Sequence, residues 1–164
     1  MQKKTMDELE RMSPTEFKET EKLPIVVVLD EVRSMHNVGS VFRTSDGFLI
    51  ESIYLCGLTP QPPHRDIQKT ALGATETVAW KHVTTTQLAI DELKQKGFTI
   101  IAIEQVHNSI PLNQFKIDKL KKYAIVFGHE VNGVQEEIIN QCDFSIEIPQ
   151  LGSKHSLNIS VSAG

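Results

Sequence analysis

Short apolar runs recur along the chain at 25–29, 52–56, 99–103, 123–127 and 144–148, and each predicts a β-strand. The first, Ile25-Val-Val-Val-Leu29, is apolar at every position and rich in β-branched residues, as in a strand buried on both faces of a parallel sheet. Between the runs lie helix-prone stretches at 38–49, 84–96 and 134–140; in the second, Leu88, Ile90 and Leu93 give one apolar face. Strands alternating with helices predict an α/β domain, a parallel sheet with helices on both faces. Ligands of such sheets sit at the carboxyl ends of the strands, where the loops are. The opening segment, 1–23, is charged and reads as a short helical appendage to a domain spanning 24–164. A helix is expected to start there at Ser13-Pro14, with Ser as cap and Pro in the first helical position. Segment 59–64, TPQPPH, predicts a rigid surface loop.

At 164 residues, 40% hydrophobic and 23% charged, the chain suffices for one domain with a real core. No apolar run approaches the roughly 20 residues of a membrane-spanning helix. The N-terminus lacks the apolar segment of a secretory signal, so the expected location is the cytoplasm, without a membrane partner. Cys56 and Cys142 lie far apart and make neither a disulfide framework nor a metal clip. The six histidines lack HxH or HxxxH spacing, so no metal site is expected. There is no GxxxxGK[ST], no GxGxxG after the first strand and no GxSxG elbow, which argues against P-loop, dinucleotide and α/β-hydrolase chemistry. The net charge of −4 argues against nonspecific nucleic-acid binding, but the cations are uneven: Lys116, Lys119, Lys121 and Lys122 crowd one segment, and Arg33, Arg43, Arg65 and Lys69 punctuate the first half. That leaves either a local positive face or an ordinary solvated surface.

Three polar clusters follow predicted strands. The first runs from Asp30 through Asn37, Gly39 and Arg43: Asn37 is expected to cap a helix beginning at Val38, and Gly39 permits close backbone approach. Read alone, it is either a capped helix with a surface arginine or half of a site. The second, Phe127-Gly128-His-Glu130-Val-Asn-Gly133, is either an ordinary strand–turn–helix connection or a turn whose exposed backbone clamps a flat polar ligand. In the third, Ile148-Pro149-Gln-Leu-Gly152-Ser-Lys-His-Ser156-Leu157-Asn158-Ile-Ser160, Ser156 either caps a last helix or joins Asn158 in presenting polar groups inward.

Together the clusters resemble the SpoU/TrmH-type RNA ribose 2′-O-methyltransferases of the trefoil-knotted SPOUT class. Asn37, Gly39 and Arg43 match the motif N-x-G-x-x-x-R; Phe127-Gly128-x-Glu130-x-x-Gly133 matches the second motif; Ile148-Pro149, Gly152 and Ser156-Leu157-Asn158-x-Ser160 match the third. Lys69-Thr-Ala-Leu-Gly73-Ala74 also resembles the family's K-x-x-x-G-A stretch. The likeness covers Leu29 to the end and is greatest to the short tRNA/rRNA type, since no substrate-recognition domain is seen before Pro24. It implies S-adenosylmethionine as cofactor, RNA as substrate, a C-terminal knot and a homodimer. The cofactor would lie among Ala102, Ile103, Glu104, Gly128, Glu130, Ile148, Pro149, Gly152, Ser156 and Leu157. Arg43, Asn37, Glu130, Ser156 and Asn158 would form the catalytic group, with Glu130 holding Arg43, and Arg33, Arg43, Arg65 and Lys69 would face the RNA. A dimer would gather these cations with the Lys116–Lys122 run. Family proposals make the arginine a general base; a guanidinium, charged up to a pKa above about 12, better binds phosphate and stabilises a developing alkoxide.

The resemblance places Gly164 only a few residues into the family's last helix, so that helix is expected to be truncated. A non-catalytic RNA-binding protein of the same fold is the competing expectation, and a dinucleotide oxidoreductase lacks its glycine fingerprint.

Overall fold

The computed structural model describes residues 3–5 and 7–164; of the 1–23 segment expected to be helical, residues 1, 2 and 6 lie outside the described residues. A helix α1 (Pro14–Glu19) begins as expected at Ser13, which forms a full capping box with Glu16. Its Phe17 is buried in the core of the domain that follows. That domain runs β1 (Leu23–Asp30), α2 (Met35–Gly47), β2 (Ile50–Cys56), α3 (Arg65–Ala71), α4 (Ala74–Thr77), β3 (Ala79–Val83), α5 (Thr86–Gln95) and β4 (Phe98–Ile103). It continues through β5 (Ile110–Pro111), β6 (Lys122–Phe127), α6 (Glu136–Ile139), β7 (Phe144–Glu147) and α7 (Ile159–Ala163).

The strands form one sheet in the order β3-β2-β1-β6-β4-β7-β5, every pair parallel. Alternation along β1 divides the core: Val27 and Leu29 join α1, α2, α3, α4 and α7 on one face, while Val26 and Val28 join α5 and α6 on the other. The expected two-sided α/β sheet is therefore present. The predicted strands are all there, each longer or shorter by one to three residues. Strand β3 was not legible: AWKHV has no apolar run, and the strand lies at the sheet edge, largely half-buried. Thr59, expected in a surface loop, is buried, and its hydroxyl donates to the Leu29 carbonyl at 3.1 Å.

Because all strands run one way, Asp30, Phe127, Ile103 and Glu147 bring their following loops to the same end of the sheet. Lys122 opens β6 at the opposite end, so the Lys116–Lys122 run lies away from those loops, and the cationic surface anticipated from the sequence is split within one protomer.

Phe42 of α2 is fully buried and meets Trp80 edge-on, with ring centroids 6.3 Å apart. Phe42→Ala should cost about 3–5 kcal/mol of stability, read from denaturant unfolding by the fluorescence of Trp80, the chain's single tryptophan. On the other face, Glu92 of α5 accepts from Lys81, from Lys96 at 2.6 Å and from the Tyr54 hydroxyl at 3.0 Å. The lysine bonds, Lys81 first, outweigh burial and hold its carboxyl down to about 2. A lowered carboxylate stabilises the fold above its ordinary value of 4.5 and loses that contribution as pH falls toward 2. The unfolding free-energy gap between wild type and Glu92→Gln, read from denaturant titrations at each pH, should therefore be widest near neutrality and close on acidification, staying below about 1 kcal/mol for so exposed a cluster.

Candidate active site

Helix α2 starts three residues earlier than the sequence predicts. Ser34, not Asn37, is its cap, with Ser34 Oγ accepting from the Asn37 amide at 3.3 Å. Asn37 thus falls inside the first turn and its side chain is released from capping. It is buried, and its Nδ2 donates to Glu130 Oε1 at 2.9 Å while its Oδ1 accepts from Asn158 Nδ2 at 3.1 Å. Residues from the three clusters are joined by these two bonds. Gly39, two residues on, lets α2 cross α3 closely: a Cβ there would stand 2.2 Å from the Ile67 carbonyl oxygen.

The Glu130 carboxylate also accepts from the Ser34 amide at 2.9 Å and the Arg33 amide at 3.1 Å. Partial burial pushes its pKa up, but the bonds from Arg33, Asn37 and Ser34 together outweigh that push and hold it below the ordinary 4.5. It is a charged carboxylate at neutral pH. Glu130 does not hold Arg43, as the sequence led us to expect; its oxygens are taken by the start of α2. Arg43 is exposed and lines a separate groove with Arg11, Asp46, Leu72 and Thr77.

Glu130 lies in a loop that leaves β6 and closes on itself. His129 and Gly133 exchange amide bonds of 2.9 and 2.8 Å, and His129 Nδ1 accepts from the amides of Val131 and Asn132. Gly128 and Gly133 allow this closure: a Cβ on Gly128 would stand 2.0 Å from the Gly133 carbonyl carbon, and Gly133 has φ +68°. Glu104, just after β4, accepts from the Val134 amide at 3.0 Å.

The loop forms one wall of a cleft of about 440 Å³ at the carboxyl ends of β4, β6 and β7. Of the residues expected to hold the cofactor, Ile103, Glu104, Gly128, Glu130, Ile148, Ser156 and Leu157 line it. Three do not: Ala102 is fully buried behind it, with its carbonyl taken by Ser145 Oγ, and Pro149 and Gly152 are exposed beside it. Asn158 lines the cleft and, rather than Ser156, caps α7, its Oδ1 accepting from the Ser160 amide at 2.8 Å. Ser156 is exposed on the cleft and makes no hydrogen bond with the described residues.

Sequence reasoning missed His129 and Glu147, both on the cleft; Glu147 accepts from Ser109 Oγ at 2.9 Å. The signal for Glu147 was a carboxylate between two isoleucines at a strand end. Apolar walls (Ile103, Phe127, Ile148, Leu157) beside the carboxylates Glu104, Glu130 and Glu147 suit a flat nucleoside bearing positive charge. Of the residues expected to face RNA, Arg33 and Arg65 are exposed, and Lys69 is ion-paired with Asp66 at 2.6 Å. Among the described residues, no group of three His, Cys, Asp or Glu side chains could hold a metal ion, and no helix is long and apolar enough to cross a membrane.

Known proteins resemble the chain in both sequence and fold. A Staphylococcus aureus protein assigned to the TrmH family of tRNA/rRNA methyltransferases is 34% identical over 89% of this chain, which spans 58% of that relative's length. The crystal structure of the A. aeolicus TrmH/SpoU tRNA modifying enzyme superposes with a TM-score of 0.79 at 26% identity, covering 92% of this chain and 77% of that one. An AdoMet-bound rRNA methyltransferase from Sinorhizobium meliloti superposes with a TM-score of 0.77 at 25% identity, covering 93% of this chain and 57% of that one. The sequence model of the SpoU rRNA Methylase family matches residues 24–164, and this chain belongs to that family.

Proposed function

We propose that this chain transfers a methyl group from S-adenosylmethionine to a ribose 2′-hydroxyl of tRNA or rRNA in the cytoplasm. Residues 24–164 would be the catalytic domain and 1–23 its appendage. The observation that carries the reading is the Glu130–Asn37–Asn158 chain of hydrogen bonds, which fastens three distant segments around a cleft of nucleoside size. The relatives' names, with a cofactor-bound neighbour at 25% identity, support the same chemistry.

When bound, the cofactor supplies an activated methyl on a sulfonium leaving group. Ile103, Ile148 and Leu157 would flank the adenine, and the acidic rim would favour the cationic centre. In this reading the trefoil knot winds the loops after β4, β6 and β7 around it. What remains for the protein is alignment of the acceptor oxygen, worth several kcal/mol, and management of its proton. Asn37 is buried and engaged on both its oxygen and its nitrogen, so its part is to hold the site rather than touch the ribose. Ser156, uncommitted on the cleft, is the hydroxyl available to orient the acceptor. The guanidinium of Arg43 would bind the neighbouring phosphate and stabilise the alkoxide as it forms.

Arg43 does not line its own protomer's cleft. A homodimer would remove that difficulty if a second copy received it. Exposed apolar positions at Leu157, Val161 and Phe48, 43%, 63% and 57% accessible, offer surface for such contact. Arg33 and Arg65 would extend the RNA-facing rim, with Lys69 contributing once released from Asp66.

Calorimetry should detect S-adenosylmethionine binding, and ribose-methylation maps of total RNA should lose a defined position in cells lacking the gene. A wild-type protein that binds no S-adenosylmethionine refutes the reading. Arg43→Lys should keep cofactor affinity within about twofold while turnover falls at least about a hundredfold, as expected when a preorganised charge at the developing oxyanion is displaced. Full turnover in that variant would remove Arg43 from the mechanism.

A further inference from the structure

The 128–133 loop is closed by its own His129–Gly133 bonds, so it behaves as a stiff ring whose placement depends on its two ends. One end continues from β6. At the other, two consecutive amides are delivered to two carboxylates: Val134 N to Glu104 Oε2 at 3.0 Å, and Gln135 N to Asp30 Oδ2 at 2.9 Å. Glu104 directly follows β4 and Asp30 ends β1, and these are the two strands that flank β6 in the sheet. The clamp therefore straddles the strand from which the loop springs.

Both carboxylates are themselves held. Asp30 is fully buried and also accepts from Thr86 Oγ1 and Gln135 Nε2. Glu104 has its second oxygen on the Gln105 amide at 2.9 Å, and its own carbonyl accepts from the buried Ser145 hydroxyl at 2.9 Å. Contact with the loop is close: a Cβ on Gly133 would stand 2.1 Å from Glu104 Oε2. Charged acceptors on backbone amides make bonds roughly twice as strong as neutral ones.

We propose that Glu104, paired with Asp30, is a positioning residue for the cofactor loop: it clamps the Val134 amide and so sets the distance between the 128–133 backbone and the apolar wall at Ile103. This rests on the reading of the cleft as an S-adenosylmethionine site and assigns Glu104 an indirect role in it. Its carboxylate works through the loop and makes no direct contact with the cofactor; what its charge adds is only the longer-range attraction it shares with Glu130 and Glu147.

Calorimetric titration of S-adenosylmethionine into wild type, Glu104→Ala and Glu104→Gln separates the alternatives. Wild-type binding tests the site itself, and its absence would overturn both readings. Given wild-type binding, Glu104→Ala should raise the Kd about tenfold, the effect of losing one well-placed, partly buried acceptor. RNA affinity should be unchanged, and saturating cofactor should restore kcat, so the loss falls in KM. Glu104→Gln, which retains an acceptor oxygen for the Val134 amide, should recover most of the affinity. An unchanged Kd in Glu104→Ala overturns the proposal. So does an equal loss in both variants, which would mean that the carboxylate's charge meets the cofactor directly. If Glu104→Ala does not fold, amide exchange in the wild-type protein without cofactor decides: Val134 should be protected, and exchange at the rate of a free loop amide would overturn the clamp.

Discussion

A single carboxylate, Glu130, gathers donors from a stretch of chain almost a hundred residues away: the amides of Arg33 and Ser34 and the side chain of Asn37. Burial of a charge is costly unless it is met by hydrogen bonds, and three donors meet it here. The same bonds dictate the geometry of the start of α2, because two of them go to backbone just ahead of the first turn. Asn37 then carries the connection onward to Asn158, which caps α7. Removing the carboxylate would leave three donors of the 33–37 segment without a shared acceptor, so the start of α2 and the loop after β6 would lose their common reference point. Among the described residues, no buried side-chain nitrogen or oxygen lacks a partner, as a network of this kind requires.

The sheet supplies the precondition. Parallel pairing puts the carboxyl ends of β1, β4, β6 and β7 on one side, and the placement of β6 between β1 and β4 puts its loop in reach of both neighbours. Two glycines then let that loop close at a separation no side chain would permit. Strand order, ring closure and carboxylate anchoring are successive constraints on one short segment. Its backbone is fixed from both ends, although it belongs to no strand or helix.

The sequence made the fold readable where its periodicity was strong. β1 and β6, central and carrying the apolar runs 25–29 and 123–127, were visible; β3, an edge strand with Trp80, Lys81 and His82 in half-exposed positions, was not. Helices α3 and α4 escaped because they are short and meet at Leu72 and Gly73, both at positive φ, so no continuous period builds up. For the site, motif likeness brought Asn37, Glu130 and Asn158 to one place, but who bonds to whom was not legible. Ser34 and Asn37 are both good caps, and only the packed helix decides between them. Asn158 and Ser156 pose the same ambiguity at α7, resolved the same way. Glu130 could be paired on paper with Arg43, since opposite charges in two motifs invite it; backbone amides, which every sequence contains, left no trace of their prior claim.

That claim has an electrostatic consequence for any polyanionic partner. Glu104, Glu130 and Glu147 all border the cleft, and at physiological ionic strength their fields reach about 8 Å into solvent. An acidic interior favours a cationic small molecule and disfavours phosphate at the same spot, so under the proposed RNA-methylating role a chain of net charge −4 must keep the two apart. Its cations are disposed accordingly: Arg33, Arg43 and Arg65 are exposed and absent from the cleft lining, and the Lys116–Lys122 run lies at the far end of the sheet. An RNA strand held by the arginines would meet the cleft only through the nucleotide it presents. The phosphates would then stay on the rim, and the sugar, which is uncharged, would be the group that crosses the acidic border.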